Sequence, residues 1–408
     1  MIRDDALKAR AKMVIPGGMW GHMNAQALPA GYPQFFEHAD GVHIKDVDGN
    51  AYIDFICGFG PMILGYNDAE VEAAFEDQRA RLDATNGPAE VMVELAELLV
   101  ETIPAADWAM FSKNGTDATT ACVTIARAQT KRRKILVAKG AYHGAAPWCT
   151  PRFDGITTED RAHLISYTYN DVASLTAACA QAGDDLAGIL VSAFRHDARH
   201  DQEMPTPEFA NAARALADQH SAALIVDDVR AGFRIDIGGS WEPLGVLPDL
   251  SAWSKALGNG HAIAAVTGND RFRDAAQMVF VTGSFWCGAA SMAAALATVQ
   301  KLKRTNAISH MAKLGNLLRT GVQAQADGLG IGLRQTGPVQ LPIMLFEDDT
   351  DFSMGNVFTT TALRHGVYLH PWHNMFLSAA HTEDHIATAL VATQHGLEAV
   401  AQQFPPKP

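Results

Sequence analysis

Cysteine is scarce: the 408 residues hold five, at Cys57, Cys122, Cys149, Cys179 and Cys287, with no CxxC pair. A scattered, odd set argues against a disulfide framework or a zinc site and fits a reducing compartment, so a cytoplasmic location is expected. No stretch approaches the ~20 apolar residues that a membrane-spanning helix needs. The opening MIRDDALKAR has no apolar h-region, so a secretory signal is not expected. Basic residues are outnumbered and the formal net charge is −13, which makes nucleic acid and anionic membrane poor partners. The sequence has no HExxH or similar spacing, so the histidines at 22, 143, 370 and 373 are not expected to form a metal centre. Repeats and low-complexity tracts are missing too.

What is present is a globular composition, 48% hydrophobic and 19% charged, on a chain long enough for a large domain and a smaller one. Residues 1–34 mix Gly, Pro, His and Met and read as an irregular arm. VHIKDVDGNAYIDF then reads as a β-hairpin, with Asp48-Gly49-Asn50 as its turn. From about residue 68, short apolar strands alternate with helices, which predicts a mostly parallel sheet covered on both faces. Past about residue 300, long amphipathic helices flank weaker strands. The expected domains are 1–60, an N-terminal arm and hairpin of a small domain; 61–300, a large domain; and 301–408, a C-terminal small α/β domain.

Four segments carry chemistry. Asn114-Gly115-Thr116 follows a strand and opens a helix, where backbone N–H groups and the dipole favour an anion such as phosphate. A plain helix cap is the alternative reading. Gly140-Ala141-Tyr142-His143-Gly144 follows the strand at Lys134–Ala138, and Tyr142 there can stack on a flat ring or simply lie on the surface. The apolar run Leu224–Val226 ends in Asp227-Asp228-Val229. An acid at that strand end can hold a protonated ring nitrogen, bind a metal or cap a helix. Finally, Lys255 ends an apolar strand and precedes small residues, as a surface lysine in a turn would, or as a desolvated amine able to form an imine.

In order and spacing these segments, with PGG, ADGVHIKDVDGNAYIDF, GPMILGY, NGTDAT, AYHG, YND, DDVRAGFR, SKALGNG, GVYL and AAHTEDHI, resemble the class III aminotransferases of pyridoxal 5'-phosphate (PLP) fold type I. Within that family the chain is most similar to glutamate-1-semialdehyde 2,1-aminomutase-like proteins. The resemblance spans nearly the whole chain. It implies an α/β fold whose large domain has a mostly parallel seven-stranded sheet, with a smaller α/β domain built from the N-terminal arm and the C-terminal segment. It also implies PLP as cofactor, with pyridoxamine 5'-phosphate as its intermediate form. Lys255 is then the Schiff-base lysine, Asp227 the partner of the ring nitrogen, and Tyr142 and Val229 the residues on the two ring faces. Asn114, Gly115 and Thr116 belong to the phosphate site and His143 to the cofactor loop. Gly283-Ser284 stands where a neighbouring subunit supplies a Gly-Thr pair, so a homodimer with a shared active site is implied.

Departures from the pattern bear on substrate. The arginine that holds a carboxylate in the aminomutases falls on Asn24, and a neutral amide cannot replace a guanidinium fork. A tryptophan of the family becomes Phe59. Trp20, His22, Asn24 and Phe59 are the candidate substrate residues of this region. The polar side chain near the cofactor's phenolic oxygen maps near Asp197, whose charge would be repelled, so His196 is the expected partner. Arg195 is the candidate replacement anchor for a carboxylate, or else an ion-pair partner of Asp197 or Asp201. The reading that results is an aminotransferase moving an amino group between a small amine or amino acid and a 2-oxo acid or other carbonyl acceptor. An aminomutase, racemase or lyase on the same scaffold is the alternative, and a non-catalytic PLP-binding homologue the third.

Overall fold

The computed structural model describes residues 2–405. Its strands are β1 (Phe36–Asp40), β2 (His43–Asp46), β3 (Ala51–Asp54), β4 (Trp108–Ser112), β5 (Lys134–Ala138), β6 (Leu164–Tyr167), β7 (Leu186–Ser192), β8 (Ala223–Asp227), β9 (Leu250–Trp253), β10 (Ala264–Gly268), β11 (Leu333–Thr336), β12 (Ile343–Phe346) and β13 (Val367–Tyr368). Its α-helices are α1 (Ile2–Val14), α2 (Ala69–Arg81), α3 (Val91–Thr102), α4 (Gly115–Thr130), α5 (Val172–Ala182), α6 (Pro207–Gln219), α7 (Arg273–Met278), α8 (Ala289–Arg304), α9 (Ala307–Gly328), α10 (Ser353–Arg364) and α11 (Glu383–Gln403).

The chain divides into two compact units. The larger holds Ala69–Asp197 and Gln202–Ile308; the smaller holds Met1–Asp68, Ala198–Asp201 and Ser309–Pro408. The excursion at 198–201 is not anticipated from sequence. Its cause is local bonding: Arg199 N donates to Trp372 O at 2.9 Å, and Asp201 pairs with Arg334 at 2.9 Å.

The larger unit is built on a seven-stranded sheet in the order β4-β10-β9-β8-β7-β5-β6. Strands β6, β5, β7, β8 and β9 are parallel neighbours, and β10 is antiparallel to β4 and β9. The mostly parallel seven-stranded α/β sheet expected from the sequence is therefore the fold. Strand β8 shows why it is covered on both sides. Leu224 and Val226 pack into a core with Phe209 and Trp241, while Ala223 and Ile225 face Cys122 and Ile125 on the other side. The two-residue period sends alternate side chains to opposite faces. Each fully buried Leu, Val or Ile contributes about 1.5–3 kcal/mol. Parallel strands all end at the same edge, which is where loops gather to form a site.

In the smaller unit the sheet order is β1-β2-β3-β13, and β2 and β3 form the expected antiparallel hairpin. Asp46 shapes its turn by accepting from Asp48 N and Asn50 N at 3.0 and 2.9 Å. Residues 1–34 are not an irregular arm throughout, since α1 occupies Ile2–Val14. Buried Asp4 anchors it, accepting from Gln34 N and Phe35 N at 3.0 and 2.9 Å and pairing with Lys8 one turn on at 2.6 Å.

Candidate active site

Strand β8 delivers Asp227 to the carboxyl edge of the sheet. Its Oδ2 lies 2.7 Å from His143 Nδ1, and its Oδ1 accepts from Val229 N at 3.1 Å. Both side chains are buried. His143 Nε2 has no partner among the described residues. His143 is thus held against Asp227, and the loop after β5 is joined to the loop after β8.

Lys255 opens a short 3-10 turn directly after β9 and Ser254. Its φ is +45°, a left-handed backbone that costs a non-glycine residue about 1–3 kcal/mol unless its surroundings fix it. Lys255 is half-buried by its surface, yet protein crowds its amine. That desolvation, aided by Arg230 and Arg234 and opposed by Asp227, holds the amine well below the ordinary lysine range. A neutral amine is the form that attacks a carbonyl.

The start of α4 forms the third wall. Asn114 N donates to Asp117 Oδ2 at 2.9 Å, an N-terminal cap that fixes the helix entry. Gly115 is required by packing, because a Cβ there would sit 2.6 Å from Val229 Cγ1. Thr116 Oγ1 accepts from Ala145 N at 3.1 Å, and Thr119 Oγ1 donates to His143 O at 2.7 Å. Gly144 has φ +127°, and a Cβ on it would fall 2.5 Å from Thr116 Oγ1. The helix terminus and the Tyr142-His143-Gly144 loop are therefore in intimate contact. Tyr142 is partly exposed, and burial of the rest of the ring raises its phenol above the ordinary range.

His196 and Asp197 come from the loop after β7. His196 is buried, its Nδ1 has no partner among the described residues, and desolvation, then the nearby Arg230, pushes it well below the ordinary histidine range. It is a neutral imidazole. Asp197 pairs with Arg195 Nε at 3.0 Å, and Glu203 pairs with Arg195 Nη1 at 2.5 Å. Of the two readings given for Arg195, carboxylate anchor or ion-pair partner of Asp197 or Asp201, the structure shows the pairing with Asp197, adds Glu203, and does not include Asp201 among the ion pairs of Arg195. Its cause is the bridge of Arg195 to Glu203, backbone to backbone, which folds the loop back on itself.

The remaining candidates come from other segments. Ser284 is exposed and Gly283 half-buried, in the segment between α7 and α8. Trp20, His22, Asn24 and Phe59 belong to the smaller unit. There His22 meets Phe59 edge-on at 4.6 Å, with His373 at 5.4 Å and His370 at 6.4 Å from the same ring. Asn24 is not an open amide: Nδ2 donates to Met19 O at 2.9 Å and Oδ1 accepts from Gln26 N at 3.0 Å. It caps a turn. Arg230 was missed as a separate residue by sequence reasoning. It follows Asp227 by three positions, and its charge bears on Lys255 and His196. The signal was a cation standing inside an acidic strand-end motif.

These residues fit PLP on their own geometry. A braced carboxylate suits the ring nitrogen, the N-terminus of a sixteen-residue helix with Gly115 and Thr116 suits the phosphate, and a desolvated lysine suits the carbonyl carbon. Comparison with known proteins agrees. The profile of the class-III aminotransferase family matches residues 27–395. The chain belongs to the class-III aminotransferases. Its cofactor is PLP, and its activity is that of an aminotransferase. It is 48% identical over 98% of its length to an aminopentol aminotransferase of Sphingopyxis macrogoltabida, covering 95% of that protein. It is 33% identical to a 3-aminobutyryl-CoA aminotransferase of Cloacimonas acidaminovorans, covering 99% of each chain. Aminomutases match at lower identity, such as the 30% of a glutamate-1-semialdehyde 2,1-aminomutase from Chloroherpeton thalassium, over 96% of this class-III chain and 97% of that one. Among solved structures, the PLP internal aldimine form of the FumI protein of Sphingopyxis sp. MTA144 superposes with a TM-score of 0.98 at 48% identity, covering 99% of this chain and 98% of that one.

Proposed function

We propose that Lys255 is the residue that carries PLP and moves the proton of the reaction, with Asp227 as the charge on the ring nitrogen. Bound PLP supplies an electron sink that lets a proton leave the carbon bearing the substrate amine. Lys255 Nζ, kept neutral by burial, takes that proton and returns it. Asp227, braced by His143 and by Val229 N, keeps the ring nitrogen protonated. Tyr142 and Val229 cover the two ring faces, and Asn114, Gly115 and Thr116 bind the phosphate at the start of α4. The observation that carries this reading is the 2.7 Å contact of Asp227 with His143, together with a lysine after β9 whose charged form is disfavoured by burial.

The donor we propose is a small amine without a carboxylate on the reacting carbon, and the acceptor a 2-oxo acid or other carbonyl compound. Two findings support this. Arg195, the candidate carboxylate anchor, pairs with Asp197 and Glu203, and Asn24, which stands in place of the family's arginine, bonds Met19 O and Gln26 N. Relatives named for aminopentol and for 3-aminobutyryl-CoA are named for amines other than α-amino acids. We further propose a homodimer in which Gly283 and Ser284 of one subunit complete the phosphate site of the other. Ser284 is exposed, and beside it Phe280 and Phe285 are 93% and 71% exposed, apolar surface of the kind that a subunit contact covers. A cytoplasmic location is proposed from five free cysteines.

The test incubates purified holoenzyme with a panel of amines and no carbonyl acceptor. One equivalent of carbonyl product per site, then arrest until a 2-oxo acid is added, is the expected result. Continued turnover without an acceptor would move the protein to the mutase, racemase or lyase chemistry. Product formation by Lys255→Ala would remove the role given to that lysine.

A further inference from the structure

The sheet edge that carries Asp227 also carries an antiparallel pair. Strand β10 runs against β4 with Ala264 opposite Ser112, so the chain leaves β4 where it enters β10. What leaves β4 is Lys113, followed by Asn114, Gly115 and Thr116 at the start of α4. What enters β10 is the loop 254–263 that bears Lys255. The register thus sets the helix start assigned to the phosphate beside the far end of the lysine loop.

That loop is strained. Lys255, Asn259 and Gly260 take left-handed φ values of +45°, +44° and +103°. A residue with a Cβ keeps such a backbone only where its surroundings hold it. Within the loop, Ser254 Oγ donates to Ile263 O at 3.0 Å and His261 N to Gly258 O at 2.9 Å. From outside, two contacts fall on consecutive residues. The His261 ring stacks on Phe75 of α2 at 4.1 Å, and its Nε2 lies 3.0 Å from Glu72 Oε1. Lys113 Nζ donates to Ala262 O at 2.9 Å. The first contact fixes the loop on α2. The second fixes it on the residue next to Asn114.

Lys113 is half-buried, and its amine also lies against the start of α8. A Cβ on Gly288 would fall 3.1 Å from Lys113 Nζ and 3.4 Å from Asp83 Oδ1, which accepts from Ala290 N at 3.0 Å. Lys113 therefore stands beside the N-termini of two helices, where a cation opposes the dipole of each. Helix stability does not ask for it there. The bond to Ala262 O gives it a use.

We propose that Lys113 is a positioning residue of the cofactor site, which sets the Lys255 loop at a fixed distance from the helix start that takes the phosphate. The inference rests on the assignments of Lys255, Gly115 and Thr116 above. PLP is held at two points, its phosphate at α4 and its carbonyl carbon at Lys255. Two-point binding gains only when the separation of the points matches the molecule. Pyridoxamine 5'-phosphate makes no bond to the lysine and is indifferent to that separation. Lys113 thereby acts on one form of the cofactor and not on the other. A lysine acting on the phosphate by charge alone would act on both forms alike, and salt would screen it.

The test loads the full chain with PLP or with pyridoxamine 5'-phosphate and follows cofactor loss on dialysis at low and high salt. Wild type, Lys113→Met, Lys113→Ala and Lys113→Arg are compared. Lys113→Met and Lys113→Ala should lose PLP about tenfold faster than wild type, and pyridoxamine 5'-phosphate within about twofold of it, at either salt. Lys113→Arg keeps a donor long enough to reach Ala262 O and should hold PLP nearly as wild type does. Equal acceleration for both forms overturns the proposal, because the phosphate contact or the fold itself would then be what was lost. Unchanged PLP loss in the neutral variants overturns it as well. Lys113→Ala serves should Lys113→Met fail to fold. Wild type that releases PLP as fast as pyridoxamine 5'-phosphate would instead strike at the assignment of Lys255, so the two failures are distinct.

Discussion

His143 Nδ1 lies 2.7 Å from Asp227 Oδ2, both of them buried at the carboxyl edge of the larger sheet. The contact fixes where the carboxylate points. It also leaves Asp227 Oδ1 in the Asp227-Val229 turn, where Val229 N holds it. His143 is therefore a positioning residue. Hydrogen bonds to charged groups are worth about 1.5–3 kcal/mol. His143→Ala should accordingly lower kcat by about 10- to 100-fold with little change in amine KM. The absorption maximum of the bound cofactor should shift as well, which a purely structural loss would not cause.

Asp227→Asn keeps the shape of the side chain and removes its charge. Without that charge the ring nitrogen loses its proton at neutral pH, and kcat should fall at least about 100-fold. Cofactor retention, followed by its absorbance after dialysis, should fall much less.

Gly115→Ala sets a methyl 2.6 Å from Val229 Cγ1, so either α4 or the Val229 turn must move. Overpacking of this kind costs about 1–3 kcal/mol. Equilibrium urea unfolding should register that loss, and PLP should dissociate faster because the phosphate wall moves with the helix.

Arg195→Ala tests the reassignment of that side chain. If Arg195 only ties Asp197 to Glu203, amine and 2-oxo acid KM values should stay within about threefold of wild type while thermal stability drops. A tenfold or greater rise in either KM would restore it as a substrate anchor.

Burial raises the carboxyls of Asp228 and Asp54 to about 6. Both groups therefore hold protons more tightly folded than unfolded. Stability from their protonated forms is complete below the unfolded value near 3.8 and is lost as pH rises to about 6. Asp228→Asn should remove its share of that slope. Urea unfolding at pH 4, 5, 6 and 7 should show the variant gaining on wild type up to pH 6 and level beyond it, by about 2 kcal/mol in all.

Much of the fold was legible because its strands are short, apolar and bounded by polar turns. The strand at Lys134–Ala138 coincides with the structure residue for residue, and the apolar run Leu224–Val226 lies within β8. Helix α1 was not, because Pro16-Gly17-Gly18 just beyond it dominates the region and its own amphipathic pattern is weak. Strand β6 and helix α5 were passed over as well, the first being only four residues long. At the site, residue types at strand ends were readable, since the chemistry demands an acid, a lysine and a glycine-led helix start. Pairings between distant segments were not. Nothing in the sequence says that Arg195 turns to Glu203, that Asn24 closes a turn on Met19, or that His143 reaches across 84 positions to Asp227.

The left-handed backbone at Lys255 carries a further meaning. A residue with a Cβ is under strain there, and its long side chain ends desolvated beside two arginines. Glycine would adopt the same backbone freely and bring no buried amine. Lys255→Gly should therefore melt at a higher temperature than the cofactor-free wild type while catalysing nothing. Selection for robustness alone would drift away from this lysine, and its presence marks a position where usefulness, rather than durability, decided the residue.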